Sequence, residues 1–97
     1  MEYYIYILTN AWGSVLYTGM TDNLPRRLAE HRMHADPNSF TAKYHLDKLV
    51  WYEQTGDVRS AIEREKQIKG RNRARKVELI ARKNPYWKDL SEEWAEG

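Results

Sequence analysis

Two runs of β-forming residues, Tyr3 to Thr9 and Ser14 to Gly19, flank the polar stretch Asn10-Ala11-Trp12-Gly13. Tyr, Ile, Val and Leu on either side of a short Asn- and Gly-containing connection specify a β-hairpin, which commits the N-terminal part of the chain to a sheet. If the four-residue loop closes symmetrically, Thr9 faces Ser14, and counting back places Tyr6 opposite Tyr17. Directly opposed side chains on one face lie roughly 4.5–5.5 Å apart at Cβ. Two phenols so placed could grip a phosphate or a water, or form an ordinary cross-strand aromatic pair. Gly19, two residues beyond Tyr17 on the same face, would let a substrate approach the backbone closely.

Beyond the hairpin the chain reads as helices around one further strand. Asp22-Asn23 offers an N-cap and Pro25 suits a first turn, with Leu24, Leu28 and His31 at helical spacing, so a helix is expected over about 24–34. Residues 35–46 contain Pro37, Asn38, Ser39 and aromatic or imidazole rings without a period, and read as a loop. Leu49 to Tyr52 is a short buried strand. Asp57 caps a second helix with Val58, Ala61, Ile62 and Ile68 as its apolar positions, ending near Gly70. Arg73 to Lys83 forms a third, and Pro85-Tyr86-Trp87 with Leu90 makes an apolar tail that packs back on the body. The expected fold is α+β: a small three-stranded, mainly antiparallel sheet flanked by helices, in the order β-β-α-β-α-α.

The 97 residues suffice for a single domain over 1–97, and 41% apolar content with four Trp and seven Tyr supplies a core. There is no cysteine, which excludes disulfides and Cys-based zinc sites and fits a reducing cytoplasm. No run has the length of a membrane helix, and the apolar start lacks the basic region of a signal peptide. Net charge is only +2, but nine basic residues lie between Arg64 and Lys83, opposed by Glu65 and Glu78 alone. A block of this kind suits an anionic polymer, or is an ordinary solvated helix face.

Two further features fit a core poorly. Glu65 falls within the stripe Val58, Ala61, Ile62, Ile68, where a carboxylate is costly unless paired or bound to metal. It is either a metal ligand or a salt-bridge partner of Arg64, Lys69 or Arg27. Arg27 and His31 are i and i+4 on the first helix and share a face; the first offers a fork for phosphate, and the second can donate to a phosphate oxygen or move a proton. His31 and His34, at i and i+3, could also pair on a metal, but no Cys or second pair supports such a site.

Taken in order, Tyr4-Ile5-Tyr6, Tyr17-Thr18-Gly19, the helix Leu24 to His31, Phe40 to Tyr44, Leu49 to Glu53, Arg64 to Gly70 and Asn84 to Leu90 resemble the GIY-YIG nuclease superfamily. The likeness is to its small stand-alone bacterial branch, the URI-type domain. Each block is weak alone; together, at these spacings, they are specific. The resemblance implies a nuclease dependent on Mg²⁺ or Mn²⁺ that acts on nucleic acid, DNA foremost, with no membrane partner. It assigns Tyr6 and Tyr17 to the two motif tyrosines, Arg27 to the helix arginine, His31 to the position one turn on, and Glu65 to the metal-binding glutamate. Tyr4 stands where the first motif has glycine and Thr18 where the second has isoleucine. Many members carry a later asparagine, for which Asn72 and Asn84 are the candidates.

Phosphodiester hydrolysis needs an activated water, neutralisation of the phosphoryl oxygens and help for the leaving alkoxide. One carboxylate and several waters suffice to hold Mg²⁺. Arg27 would neutralise the developing charge, His31 would orient a phenol or bind a phosphate oxygen, and Tyr6 or Tyr17 would act as base or water-positioner. A free phenol titrates near 10, so Arg27 or the metal must lower it. Lys69, Arg71, Arg73, Arg75 and Lys76 are the expected phosphate-tracking residues. A competing reading is a non-cleaving nucleic-acid-binding module using the basic third helix and surface tyrosines. Another is a protein-interaction domain using the acidic tail or Trp87 and Trp94.

Overall fold

In a computed structural model, which describes residues 1–33 and 36–96, three strands form one antiparallel sheet. These are β1 (Tyr3–Thr9), β2 (Leu16–Thr21) and β3 (Lys48–Thr55), with β1 central between the other two. The α+β expectation holds. Helices α1 (Leu24–Arg32), α3 (Val58–Lys69) and α4 (Arg73–Lys83) fall where the sequence reading expects them. The Asn23, Asp57 and Asn72 side chains each accept from backbone N–H groups of the first turn. Each such cap contributes about 1 kcal/mol. Two elements were not expected: a one-turn helix α2 (Phe40–Lys43) inside the supposed loop, capped by Ser39, and a closing 3₁₀ helix over Leu90–Glu96. The expected end of the first helix at His34 lies outside the described residues.

Alternation along β1 divides the core in two. Ile5 and Ile7 point to one face and pack with Trp51, Ala61, Ile68 and Ile80, under α3 and α4. Tyr6 and Leu8 point to the other and pack with Leu24, Leu28, Leu46 and Leu49, under α1 and the segment after it. β3 accommodates both through a bulge: Ile7 pairs with Trp51 and Leu8 with Leu49, so Val50 is the extra residue. Its carbonyl receives the Asn84 amide at 3.0 Å. The same side chain bonds the Lys88 carbonyl and N–H at 2.8 and 3.0 Å, which fastens the tail to the sheet.

The hairpin register corrects an expectation. Strand β2 starts at Leu16 rather than Ser14, and Tyr6 pairs with Gly19, not with Tyr17, which faces Leu8. The turn is longer than four residues because Asn10 organises it: its side-chain oxygen accepts from Ser14 N at 2.9 Å and its amide donates to Ser14 Oγ at 2.7 Å. The α3 stripe is also narrower than expected. Ala61 and Ile68 are fully buried, whereas Val58 and Ile62 are exposed.

Candidate active site

The two-residue shift in register leaves Tyr6 and Tyr17 on one face, as diagonal neighbours with ring centroids 6.4 Å apart. Tyr6 is buried, and its ring lies over Gly19, where the absence of a side chain makes room for it. The space above Gly19 is therefore taken by protein and not left for a substrate. Helix α1 crosses this face and buries Leu24, Leu28 and His31 against it. His31 sits edge-on to both phenols, at centroid distances of 6.0 and 5.8 Å.

Both ring nitrogens of His31 are engaged. Nε2 lies 3.1 Å from the Tyr6 hydroxyl and Nδ1 2.9 Å from Thr41 Oγ1, which in turn lies 3.2 Å from Ser39 Oγ. Burial, and next the Arg27 charge, push the imidazole down to about 4, with Glu30 pulling the other way. It is neutral at physiological pH and has one donor and one acceptor. Burial pushes the Tyr6 phenol up to about 12; Tyr17 adds to the rise, a hydrogen bond and the charge of Arg27 oppose it, and Glu65 raises it further. This is opposite in sign to the activation expected from Arg27. Burial outweighs the cation. A protonated Tyr6 has its own proton to give to His31 Nε2, 3.1 Å away, which assigns the Nδ1–H tautomer donating to Thr41.

Beside this buried chain opens a cleft of about 310 Å³, lined by Tyr17, Arg27, Glu30 and His31 together with Asp36, Ser39, Phe40 and Thr41. Arg27 is 42% exposed there and pairs with Glu30 at 3.5 Å. Four of the five expected catalytic residues, Tyr6, Tyr17, Arg27 and His31, thus assemble on one face. Glu30, Ser39 and Thr41 were missed. The signal for Ser39 and Thr41, Ser39 as a cap just before a four-residue helix, is too short to show a helical period.

Glu65 comes from α3, on the opposite face of the sheet. Its side chain is 22% exposed and pairs with Lys69 at 3.5 Å, one of the partners considered for it. Its charge reaches the Tyr6 phenol. Among the described residues no group of three His, Cys, Asp or Glu could enclose a metal. A hard cation held by one carboxylate and completed by water requires no such group, and the partly exposed Glu65 fits that role. On the Ile7 face of β2, Thr18 Oγ1 is buried without a hydrogen-bond partner. His34 lies outside the described residues.

The basic block is divided in use. Arg73 donates to the carbonyls of Gly13 and Ser14 at 2.6 and 3.1 Å, tying α4 to the hairpin turn. Lys69 faces Glu65. Arg71 and Arg75 line a shallow polar cleft with Glu78 and Arg82, and Lys76 is half-buried. Of the two asparagines, Asn72 caps α4 and Asn84 holds the bulge. Trp87 packs on the core beneath α3 and α4, with its ring against Gly13. No helix among the described residues is long and apolar enough to cross a membrane.

Comparison with known proteins identifies the family. The GIY-YIG catalytic domain matches residues 2–78. A UPF0213 protein of Syntrophus aciditrophicus is 38% identical over 82 residues, covering 84% of this chain and 92% of that protein. Another, of Natronomonas pharaonis, is 36% identical over 80 residues, covering 82% and 92%. The solution structure of a UPF0213 protein from Bacillus halodurans superposes with a TM-score of 0.59 at 26% identity, over 95% of this chain and 96% of that one. Motif order, fold and relatives agree: the chain belongs to the GIY-YIG family, among the small UPF0213 proteins.

Proposed function

We propose that this protein is a divalent-metal-dependent endonuclease that hydrolyses phosphodiester bonds of nucleic acid, DNA foremost. The observation that carries the reading is the convergence of Tyr17, Arg27 and His31 on one open cleft, with Tyr6 behind them and the Glu65 carboxylate within electrostatic reach from the other face. A Mg²⁺ or Mn²⁺ ion at Glu65 would supply Lewis-acid polarisation of a phosphoryl oxygen and of water.

The chain's own residues divide the remaining work. Arg27 presents its fork in the cleft, where it neutralises charge growing on the phosphoryl oxygens. Tyr17 is the phenol that lines the cleft, and it positions the attacking water. Tyr6, held protonated, keeps the neutral His31 ring in place through Nε2. Arg71, Arg75 and Lys76 track the phosphates beyond the cleft, while Lys69 and Arg73 also serve the ion pair and the hairpin tether described above.

The test is nicking of supercoiled plasmid and of labelled duplex, branched and single-stranded oligonucleotides in Mg²⁺ and Mn²⁺, with Glu65→Gln alongside. Wild type should cut only with the metal, and Glu65→Gln should bind nucleic acid but not cut. Cleavage by Glu65→Gln at the wild-type rate would remove the metal role. Tight binding by wild type with no cleavage of any substrate would favour the non-cleaving module.

A further inference from the structure

Helix α2, with its C-cap Tyr44, turns small and polar residues inward and aromatic ones outward. Its inward face carries Thr41 and Ala42, which are buried, and Thr41 is bonded to His31. Phe40, Lys43 and Tyr44, at i, i+3 and i+4, share the other side, and Phe40 and Tyr44 are 48% and 40% exposed. Burying an aromatic side chain is worth roughly 1.5–3 kcal/mol, so leaving two in water side by side forgoes stability that the fold could have taken.

The two rings also extend an aromatic series that begins at the cleft. Tyr17 and Phe40 are stacked, with centroids 6.2 Å apart and planes at 29°. Phe40 and Tyr44 come next at 4.8 Å, and the Lys43 ammonium lies 5.5 Å from the Tyr44 ring centroid. Phe40 lines the cleft that holds Arg27. Cations interleaved with exposed rings form a surface on which unpaired bases stack while the backbone tracks the charge. A base inside a duplex is already stacked on its neighbours and has no face to offer.

The geometry points to α2 as a stacking platform for unpaired nucleotides, which delivers a single strand, or the open strand of a branched or frayed duplex, into the cleft at Arg27. The inference rests on the nuclease reading for the use of the cleft, and on the rings for the substrate class. Phe40 and Tyr44 hold bases, Lys43 holds the intervening phosphate, and sequence preference is weak because every base has a π face.

The experiment measures anisotropy of labelled strands with wild-type protein in EDTA, so that binding is read without cleavage. Three probes of equal length are compared: a mixed-sequence single strand, the same strand as a closed duplex, and a single strand of abasic sugar-phosphate units carrying the same charge. The base-bearing single strand should bind tightest. Tyr44→Ala and Phe40→Ala should each weaken it on the order of tenfold, toward the abasic value, with the salt slope unchanged. Tyr44→Trp should restore it. Lys43→Ala should lower the salt slope by about one for both single strands. Because Phe40 packs on Tyr17, the Tyr44 pair of variants carries the test if Phe40→Ala misfolds. Equal affinity for base-bearing and abasic strands, or tighter binding of the duplex, would overturn the inference. These outcomes separate it from the nuclease reading: a protein that grips unpaired bases but never cuts keeps the platform and loses the enzyme, and one that cuts but ignores bases does the reverse.

Discussion

The Tyr6 phenol occupies the space that a side chain on Gly19 would need. A Cβ on Gly19 would lie 2.5 Å from both Cζ and the hydroxyl of Tyr6, and 3.0 Å from Cε2 of Tyr17. The Tyr6 ring is buried and bonded to His31, so it has little room to yield. Gly19→Ala should therefore cost about 1–3 kcal/mol by overpacking and reduce cleavage by moving Tyr6 off His31. Adding Tyr6→Leu removes the obstacle, so the double variant should lose less stability than the sum of the two single changes. Urea denaturation of the four proteins checks this, and simple additivity would show that the ring relaxes freely.

His31 gives the fold an acid limit. Its folded-state value of about 4 lies below the ordinary 6.5, so between these values the unfolded chain binds more protons than the folded one. Stability is then complete above about 6.5 and falls as pH drops toward 4, by up to about 3 kcal/mol in all. Tyr6, Tyr17, Arg27, Glu30 and Thr41 surround the ring; the Glu30 carboxylate opposes the shift, but burial and the Arg27 charge outweigh it and keep the sign. His31→Gln should flatten this part of the stability–pH curve; an unchanged curve would place the acid transition elsewhere.

The two phenols should separate in their effects. Tyr17→Phe removes a hydroxyl from the cleft wall and should lower kcat with stability nearly unchanged. Tyr6→Phe leaves the buried His31 Nε2 without its partner and should cost about 1–3 kcal/mol in stability as well as activity. The double variant should lose less rate than the product of the two losses. Single-turnover rates with parallel unfolding curves check this, and a stable, fully active Tyr6→Phe protein would contradict it.

Among the basic residues, Arg73 should behave unlike its neighbours. Arg73→Ala gives up two bonds to hairpin carbonyls and should lower stability by about 1 kcal/mol, since the site is exposed. Arg75→Ala and Lys76→Ala should leave stability alone and each reduce the salt slope of nucleic-acid binding by about one. A titration in which Arg73→Ala alone changes the slope would reverse these roles.

The caps at Asn23 and Asp57 and the apolar runs made most elements legible in advance, because each has a local cause; the Asn72 cap of α4 was not read. The register of β2 was not legible. It depends on an Asn10 side chain closing a longer turn, and a symmetric loop count cannot register that. Helix α2 escaped notice because its outward face is the apolar one, which breaks the pattern by which helices are recognised. Tyr6, Tyr17, Arg27, His31 and Glu65 stand out by spacing and by poor fit to a core, and likeness to a family gives them roles. The surroundings that decide their chemistry were not legible: burial reversed the expected direction for Tyr6, and Thr41, which fixes the His31 ring, has no motif of its own. Val58 and Ile62 show the limit of periodicity, since it identifies apolar positions without saying whether anything covers them.

Every residue of the cleft and of the buried chain behind it, from Tyr6 to Thr41, precedes β3, whereas Glu65 arrives only with α3 on the far side of the sheet. Chemistry is thus divided along the chain in the order of its synthesis. On the nuclease reading, a nascent or truncated chain reaching only the first two strands and α1 has the arginine and the phenols but no carboxylate for the metal. Such a fragment could touch nucleic acid without cutting it. On that reading cleavage waits for a later helix to pack, and cleavage competence is a readout of complete folding.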